Sequence, residues 1–420
     1  MDVVLELLLG DLDFKGQDSS YASHNFHAFA AKFPPQLPRL FIERLTCPGD
    51  VVVDPMMGSG TALLEAYLAG RWGVGCDLDP LAVQQALVKA TPLDTAKLVS
   101  LAQSIVQEAR NRLMDPEAVA HEIARRYTEP TREFLDYWFL PETQRELMAL
   151  LLAIERISTP ANRSFFEVAF SSIIITKSGG VSRARDLAHS RPHRVLEKKP
   201  RNAVDQFEAR VARNIESIRL LPDHESRPLL CWADARCLPF PDRFADLVVT
   251  SPPYANAIDY MRAHKFSLVW FGRQVEDLAA LRARYIGTER TRDFVGEPLP
   301  PMVDAVITQV AGVDSGKARI LQKYYCDMRA TIVEMHRILK PERAVVIVVG
   351  TSTMRGIDVQ THHCLADIAA SVGFQVAPVA ERRLDRDKRM MPARSGTKTD
   401  SMIEQRMHSE FVIAGIKRAA

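Results

Sequence analysis

Asp246-Leu247-Val248-Val249-Thr250-Ser251-Pro252-Pro253-Tyr254 is the stretch on which the fold turns. The apolar run Leu247 to Val249 reads as a buried strand. It ends in two hydroxyl residues, two prolines and a tyrosine. In an open α/β sheet, ligands sit at the carboxyl ends of strands, so this polar tip falls where a ligand is held. The prolines fix φ and push the residues before them toward extended geometry. The product is a stiff corner that offers the Ser251 hydroxyl and neighbouring carbonyls beside an aromatic plate, Tyr254. A planar amine could donate to those oxygens while its ring stacks on the tyrosine. Standing alone, the same residues are equally a strand ended by a proline turn.

A second stretch supplies the partner. Asp54-Pro55-Met56-Met57-Gly58-Ser59-Gly60-Thr61 follows the apolar run Val51 to Val53 and precedes the helical spacing of Ala62 to Ala66. That is strand, glycine turn, helix. Glycine lets the backbone approach a ligand closely, and a helix N-terminus offers free amides to an anion. The glycine spacing is not that of the dinucleotide-binding loop. An acid at the end of the second strand of such a sheet can accept ribose hydroxyls. Asp77 stands there, and Asp79 is either the second candidate or the N-cap of the next helix.

Together the two motifs resemble those of the DNA amino-methyltransferases. Ser-Pro-Pro-Tyr is similar to the form found in enzymes acting on the N4 amine of cytosine, whereas adenine-N6 enzymes more often carry Asp or Asn at the place of Ser251. The resemblance covers about 25–95 and 229–420. It implies an α/β, Rossmann-like methyltransferase fold: a mostly parallel seven-stranded sheet, helices on both faces and a large helical insertion. It implies S-adenosylmethionine as cofactor, with Asp54, Pro55, Gly58, Ser59, Gly60 and Thr61 in its binding loop. Lys32 and Phe33 fall in a segment that closes over the methionine part, an aromatic staple on the first helix being the alternative. Asp234, after the third strand, is the candidate neighbour of the adenine. Ser251, Pro252, Pro253 and Tyr254 are the catalytic residues.

The 420 residues suffice for two to three domain-sized units. Lys plus Arg number 54 and Asp plus Glu 52, so a surface for a polyanion must come from local clustering. The six cysteines form no CxxC pair and no zinc spacing, and read as reduced thiols; no metal is expected. No segment approaches the roughly 20 apolar residues of a membrane span. Met1 to Gly10 is apolar but short and acidic, unlike a secretion signal. The expectation is a soluble, cytoplasmic, DNA-associated protein.

The α/β alternation stops between about 93 and 228. Residues 96–114, 116–127, 131–140, 142–157 and 162–176 all show helical spacing of apolar residues. Three parts follow: 1–95 with the cofactor loop, 96–228 as a helical insertion and candidate DNA-recognition region, and 229–420 with the catalytic motif and a second insertion at about 275–320. Residues 177–220 hold 11 Lys or Arg against 5 Asp or Glu. Arg183, Arg185, Arg191 and Arg194 are the candidates for phosphate contact, a solvated basic face being the plain alternative. Trp232 reads as core. Asn256, Asp259, Tyr260 and His264 are placed to line a base pocket. Residues 381–409 read as charged and exposed, ahead of a last strand over 411–416.

An exocyclic amine is a poor nucleophile because its lone pair is delocalised into the ring. Ser251 Oγ and the Pro252 carbonyl, accepting its hydrogens, favour a pyramidal nitrogen and stabilise the charge that develops on it. The base must leave the duplex to reach them. The reading is therefore methyl transfer to cytosine N4 in double-stranded DNA, by a monomer or dimer that could have a cognate restriction endonuclease. Adenine N6, a base in RNA, and a non-catalytic nucleic-acid-binding module stay open, the intact Asp54 and Ser251 motifs speaking against the last.

Overall fold

The computed structural model describes residues 1–176, 180–187, 192–255, 259–384 and 409–419. Val51–Asp54 (β1) and Trp72–Asp77 (β2) run parallel. Leu229–Trp232 (β3) extends the sheet beyond β2, and Ala245–Thr250 (β4) lies on the other side of β1. Leu339–Gly350 (β5) pairs with β4. Thr353–Met354 (β6) and Ile357–Asp358 (β7) form a separate hairpin. Phe374–Val376 (β8), Ala380–Arg383 (β9) and Ser409–Lys417 (β10) complete the main sheet, with β10 antiparallel to its neighbours. The order is β3-β2-β1-β4-β5-β10-β8, with β9 paired to β10 off this path.

The expected seven strands are this path, and β9 is an eighth. It lies in the stretch that charge assigned to an exposed segment. Arg382 on β9 is only 3% exposed, because it faces Glu410 across the β9–β10 pair. Trp232 departs in the other direction. It is 55% exposed on the edge strand β3, with its indole nitrogen donating to the Leu78 carbonyl. An aromatic count cannot tell an edge strand from a central one.

Alternation along the strands loads both faces. Val52, Val249, Val346 and Val412 pack toward helices Asp2–Leu9 and Gln36–Leu45. Val53, Val248, Ile347 and Ile413 pack toward Pro301–Ala311, Ser315–Ile338 and Thr361–Val372. The long helix begins at Ser315, where the Asp314 carboxylate caps it by accepting from the Lys317 amide.

Strand connections leave β1 toward β3 on one side and β4 toward β5 on the other. The crevice at this reversal lies at the carboxyl ends of β1 and β4, where such folds bind ligands.

The insertion contains the five expected helices, Thr95–Arg112, Pro116–Arg126, Glu129–Trp138, Pro141–Glu155 and Pro160–Ile174, and a sixth, Ala203–Ile218, within the basic segment. Proline at the first turn or an aspartate cap sets several of their starts. They share one core with Phe26, Tyr67 and Leu81 of the N-terminal part and with Phe266 and Trp270 after the catalytic motif. Among the described residues, no helix is long and apolar enough to cross a membrane.

Candidate active site

A cavity of about 650 Å³ opens over the crevice, within the size range of small-molecule sites. The β1 turn and the β4 turn face each other across it. Thr250, the last residue of β4, donates to the Asp54 carboxylate at 2.7 Å, and the Met56 amide donates to the same oxygen. This bond ties the Ser-Pro-Pro-Tyr corner to the glycine loop. Burial drives the Asp54 carboxyl up to about 7, against the pull of those two donors.

The glycines divide their work. Gly58 has φ +48° and lines the cavity, and a Cβ there would stand 3.1 Å from the Phe29 ring. Gly60 has φ +76°, and a Cβ there would stand 2.5 Å from that of Ala86. Gly60 thus serves the close packing of the two following helices and is not on the cavity wall. Buried Lys89 donates to the Ser59 carbonyl at 2.9 Å and fixes the loop from behind.

Asp77 faces the cavity. Its carboxylate accepts from the Gly58 and Asp79 amides, each at 2.9 Å. Burial and then the charge of Asp79 raise its pKa to about 6. Asp79 is the N-cap of Pro80–Lys89, accepting from the Leu81 and Ala82 amides. Its other oxygen meets His264 Nδ1 at 2.5 Å. Burial pushes the Asp79 carboxyl up, but His264 and the amides outweigh this and hold it low.

Lys32 and Phe33 line the cavity, with Lys32 Nζ donating to the His24 carbonyl. The ring of Phe29 stacks on Tyr260 at 5.0 Å, and the Tyr260 hydroxyl donates to the Ala30 carbonyl. Tyr260 and Asp259, expected in a base pocket, line the cavity, whereas His264 does not and instead lies 5.4 Å from the Phe29 ring. Neither Phe29 nor these contacts were visible in the sequence, since the partners lie far apart in the chain.

On the β4 side Ser251, Pro253 and Tyr254 line the cavity. Pro252 is buried beside them and is not part of the wall. The Pro253 carbonyl accepts from the Tyr324 hydroxyl at 2.9 Å. Asp234 does not face the cavity: its carboxylate is held by Arg236 at 2.7 Å, and Ala233 and Ala235 form the wall instead.

The basic residues separate as well. Arg183 donates to the Leu196 carbonyl, and Arg194 lies over the Tyr137 ring at 4.3 Å, so both have partners within the fold. Arg185 is exposed. Arg191 and Asn256 lie outside the described residues. His193 and Leu187, from the same basic segment, reach the cavity wall, as do Tyr285 to Glu289 of the second insertion. Composition flagged these segments but not the residues that touch the cavity.

A family model described as DNA methylase matches residues 14–88. The Type II methyltransferase M.MvaI of Kocuria varians is 23% identical over 381 residues, 85% of this chain and 83% of that protein. The chain is similar to the DNA amino-methyltransferases. The Type II methyltransferase M.AvaI of Nostoc sp. is 22% identical over 371 residues, 78% of this chain and 74% of that protein. M.MjaII of Methanocaldococcus jannaschii reaches 33% over 87 residues, 21% and 16% of the two chains.

The methyl donor of the family is S-adenosylmethionine, and the residues of this chain fit it. The Ser59 and Thr61 hydroxyls are buried with no hydrogen-bond partner among the described residues, and both line the cavity. An unpaired buried hydroxyl costs about 1–3 kcal/mol, so a ligand with acceptors at this helix start relieves a defect. Asp77 offers a carboxylate to hydroxyl donors on the same wall.

Proposed function

We propose that the protein transfers a methyl group to the N4 amine of cytosine in DNA. The observation that carries this reading is Ser251, a neutral hydroxyl on the cavity wall at the end of β4, next to Tyr254. A cytosine ring is small, and its amine sits beside the N3 acceptor. A hydroxyl can accept from the amine and still donate elsewhere.

In this reading Ser251 Oγ accepts an amine hydrogen and steers the nitrogen lone pair, while Pro252, expected to offer its carbonyl, lies behind the cavity wall and holds the corner stiff. The Pro253 carbonyl is already engaged by Tyr324. The Tyr254 ring stacks on the extruded base, and charge developing on nitrogen meets fixed oxygen dipoles. The bound cofactor supplies an electrophilic methyl group. Asp77 takes its ribose hydroxyls, Asp54 faces its ammonium group, and the Ser59 and Thr61 hydroxyls with the helix start take its carboxylate. Lys32 and Phe33 close that end, and the backbone at Ala233 to Ala235 borders the adenine.

The parts also take roles: 1–95 binds cofactor, 96–228 contacts DNA, and 229–420 carries the chemistry. Support for the second role is that Leu187 and His193 reach the cavity from the insertion while Thr288 and Glu289 reach it from 275–320. Mass spectrometry of nucleosides from DNA treated with enzyme and cofactor tests the base. N4-methylcytosine is expected, and Ser251→Ala should lose most turnover while cofactor binding persists, because the contact matters chiefly as the amine pyramidalises. N6-methyladenine as the sole product sinks the choice of cytosine, and modified RNA with unmodified DNA sinks the DNA substrate.

A further inference from the structure

Beneath Tyr254 lies a buried charged chain that the motif does not contain. The Tyr254 hydroxyl donates to Glu410 Oε1 at 3.0 Å. Glu410 is 5% exposed, near the start of β10, and its other oxygen is ion-paired with Arg382 directly opposite on β9. Arg382 Nε also donates to the Leu12 carbonyl at 2.8 Å. Three elements distant in sequence thus converge on one phenol.

Burying a carboxylate is costly unless it is paired and hydrogen-bonded. A sheet of this kind needs no charged pair at that depth for packing, and β9 is the strand outside the seven-strand path. What the pair does provide is a fixed acceptor for the Tyr254 hydroxyl. A tyrosine ring in the cavity wall can otherwise turn about its side-chain torsions, and a stacking plate that turns misplaces the base. Misplacement of a reacting group by about 1 Å can cost two orders of magnitude in rate.

We propose that Glu410, held by Arg382, is a positioning residue that sets the plane of Tyr254 for the target base. β9 then has a functional reason: it delivers the counter-ion that lets Glu410 stay charged beneath the catalytic corner. This rests on the reading of Tyr254 as the stacking residue.

The test is steady-state turnover on DNA carrying the mapped target site, for Tyr254→Phe, Glu410→Gln, their double variant and Tyr254→Ala. Glu410→Gln leaves Arg382 without its charge partner and could unfold the chain. Tyr254→Phe cuts the same hydrogen bond and leaves the ion pair whole, so it tests the idea from the other side. Tyr254→Phe should lower kcat about tenfold or more with the KM for S-adenosylmethionine unchanged. Adding Glu410→Gln to it should bring no further fall in kcat, since the hydroxyl through which Glu410 acts is already gone. Losses that multiply in the double variant would show that Glu410 acts through the fold alone and overturn the proposal. Parent-like kcat for Tyr254→Phe beside a dead Tyr254→Ala overturns it as well, while keeping the stacking role. Parent-like kcat for Tyr254→Ala removes the stacking role itself.

Discussion

Asp77 is a carboxylate that the fold makes reluctant to ionise. Burial and neighbouring Asp79 raise its pKa to about 6, although two backbone amides favour its charge. On the proposed role, ribose hydroxyls would donate to the charged form, so that bound cofactor lowers this pKa and affinity should rise with pH. The sign is fixed by linkage: protons compete with the ligand below about pH 6, weakening binding by up to about tenfold per pH unit. Calorimetric titration with S-adenosylmethionine between pH 5 and 8 should show this rise. Asp77→Asn should flatten it, leaving the shallower dependence of Asp54 near 7. An unchanged slope in the variant would take Asp77 out of the site and promote Asp79. Gly60 gives a second prediction at this scale. Gly60→Ala forces φ +76° on a residue with a Cβ and sets that Cβ 2.5 Å from Ala86. Overpacking of this kind costs about 1–3 kcal/mol, so a clear fall in melting temperature is expected. A variant that melts with the parent would mean that the two helices can part without cost.

At the scale of elements, what could be read in the sequence was whatever is local. Strands β1, β2 and β4, their polar tips and the insertion helices follow from runs, periodicity and caps within ten or twenty residues. The two motifs were placed on opposite walls of one cavity because each ends a strand at the same edge of the sheet. What escaped was pairing between distant segments. Glu410 and Arg382 look like surface charge until β9 and β10 lie side by side. Asp234 looks like a ligand residue until Arg236 turns it away. The arginines of the insertion show the same limit. Arg183 bonds the Leu196 carbonyl of its own segment and Arg194 lies over Tyr137 of the helix Glu129–Trp138, whereas Arg185 stands exposed. Arg185→Ala should therefore lower the slope of log affinity against log salt by about one unit if it meets a phosphate. Parallel plots for variant and parent would leave the segment as a solvated face. Arg194→Ala should instead lower stability, through the lost contact with Tyr137, which is worth about 0.5–1 kcal/mol at an exposed site.

The whole molecule joins the insertion to the catalytic body by more than a chain connection. The two share one apolar core, in which Phe26 of the N-terminal part meets Phe165 of the insertion at 6.2 Å. A buried polar chain runs alongside: His27 Nε2 meets Ser171 Oγ at 2.8 Å, and Ser171 meets Ser267 at 2.8 Å. Burial holds His27 far below the usual histidine range, near 3, so it stays neutral through the physiological range. These contacts link the segment around Phe26 and His27, the insertion and the helix Tyr260–Trp270. If they carry the coupling, the chain must unfold as one unit. Calorimetry should then give a single transition, and S-adenosylmethionine at 100 times its Kd should move that whole transition upward, by about 2.7 kcal/mol of added stability. Two transitions, of which only one responds to cofactor, would show the insertion to be an independent body and would break the link between DNA contact and the cofactor site. Ser171→Ala offers the finer comparison. It removes the middle hydroxyl of the chain, and it should lower the melting point while leaving one transition.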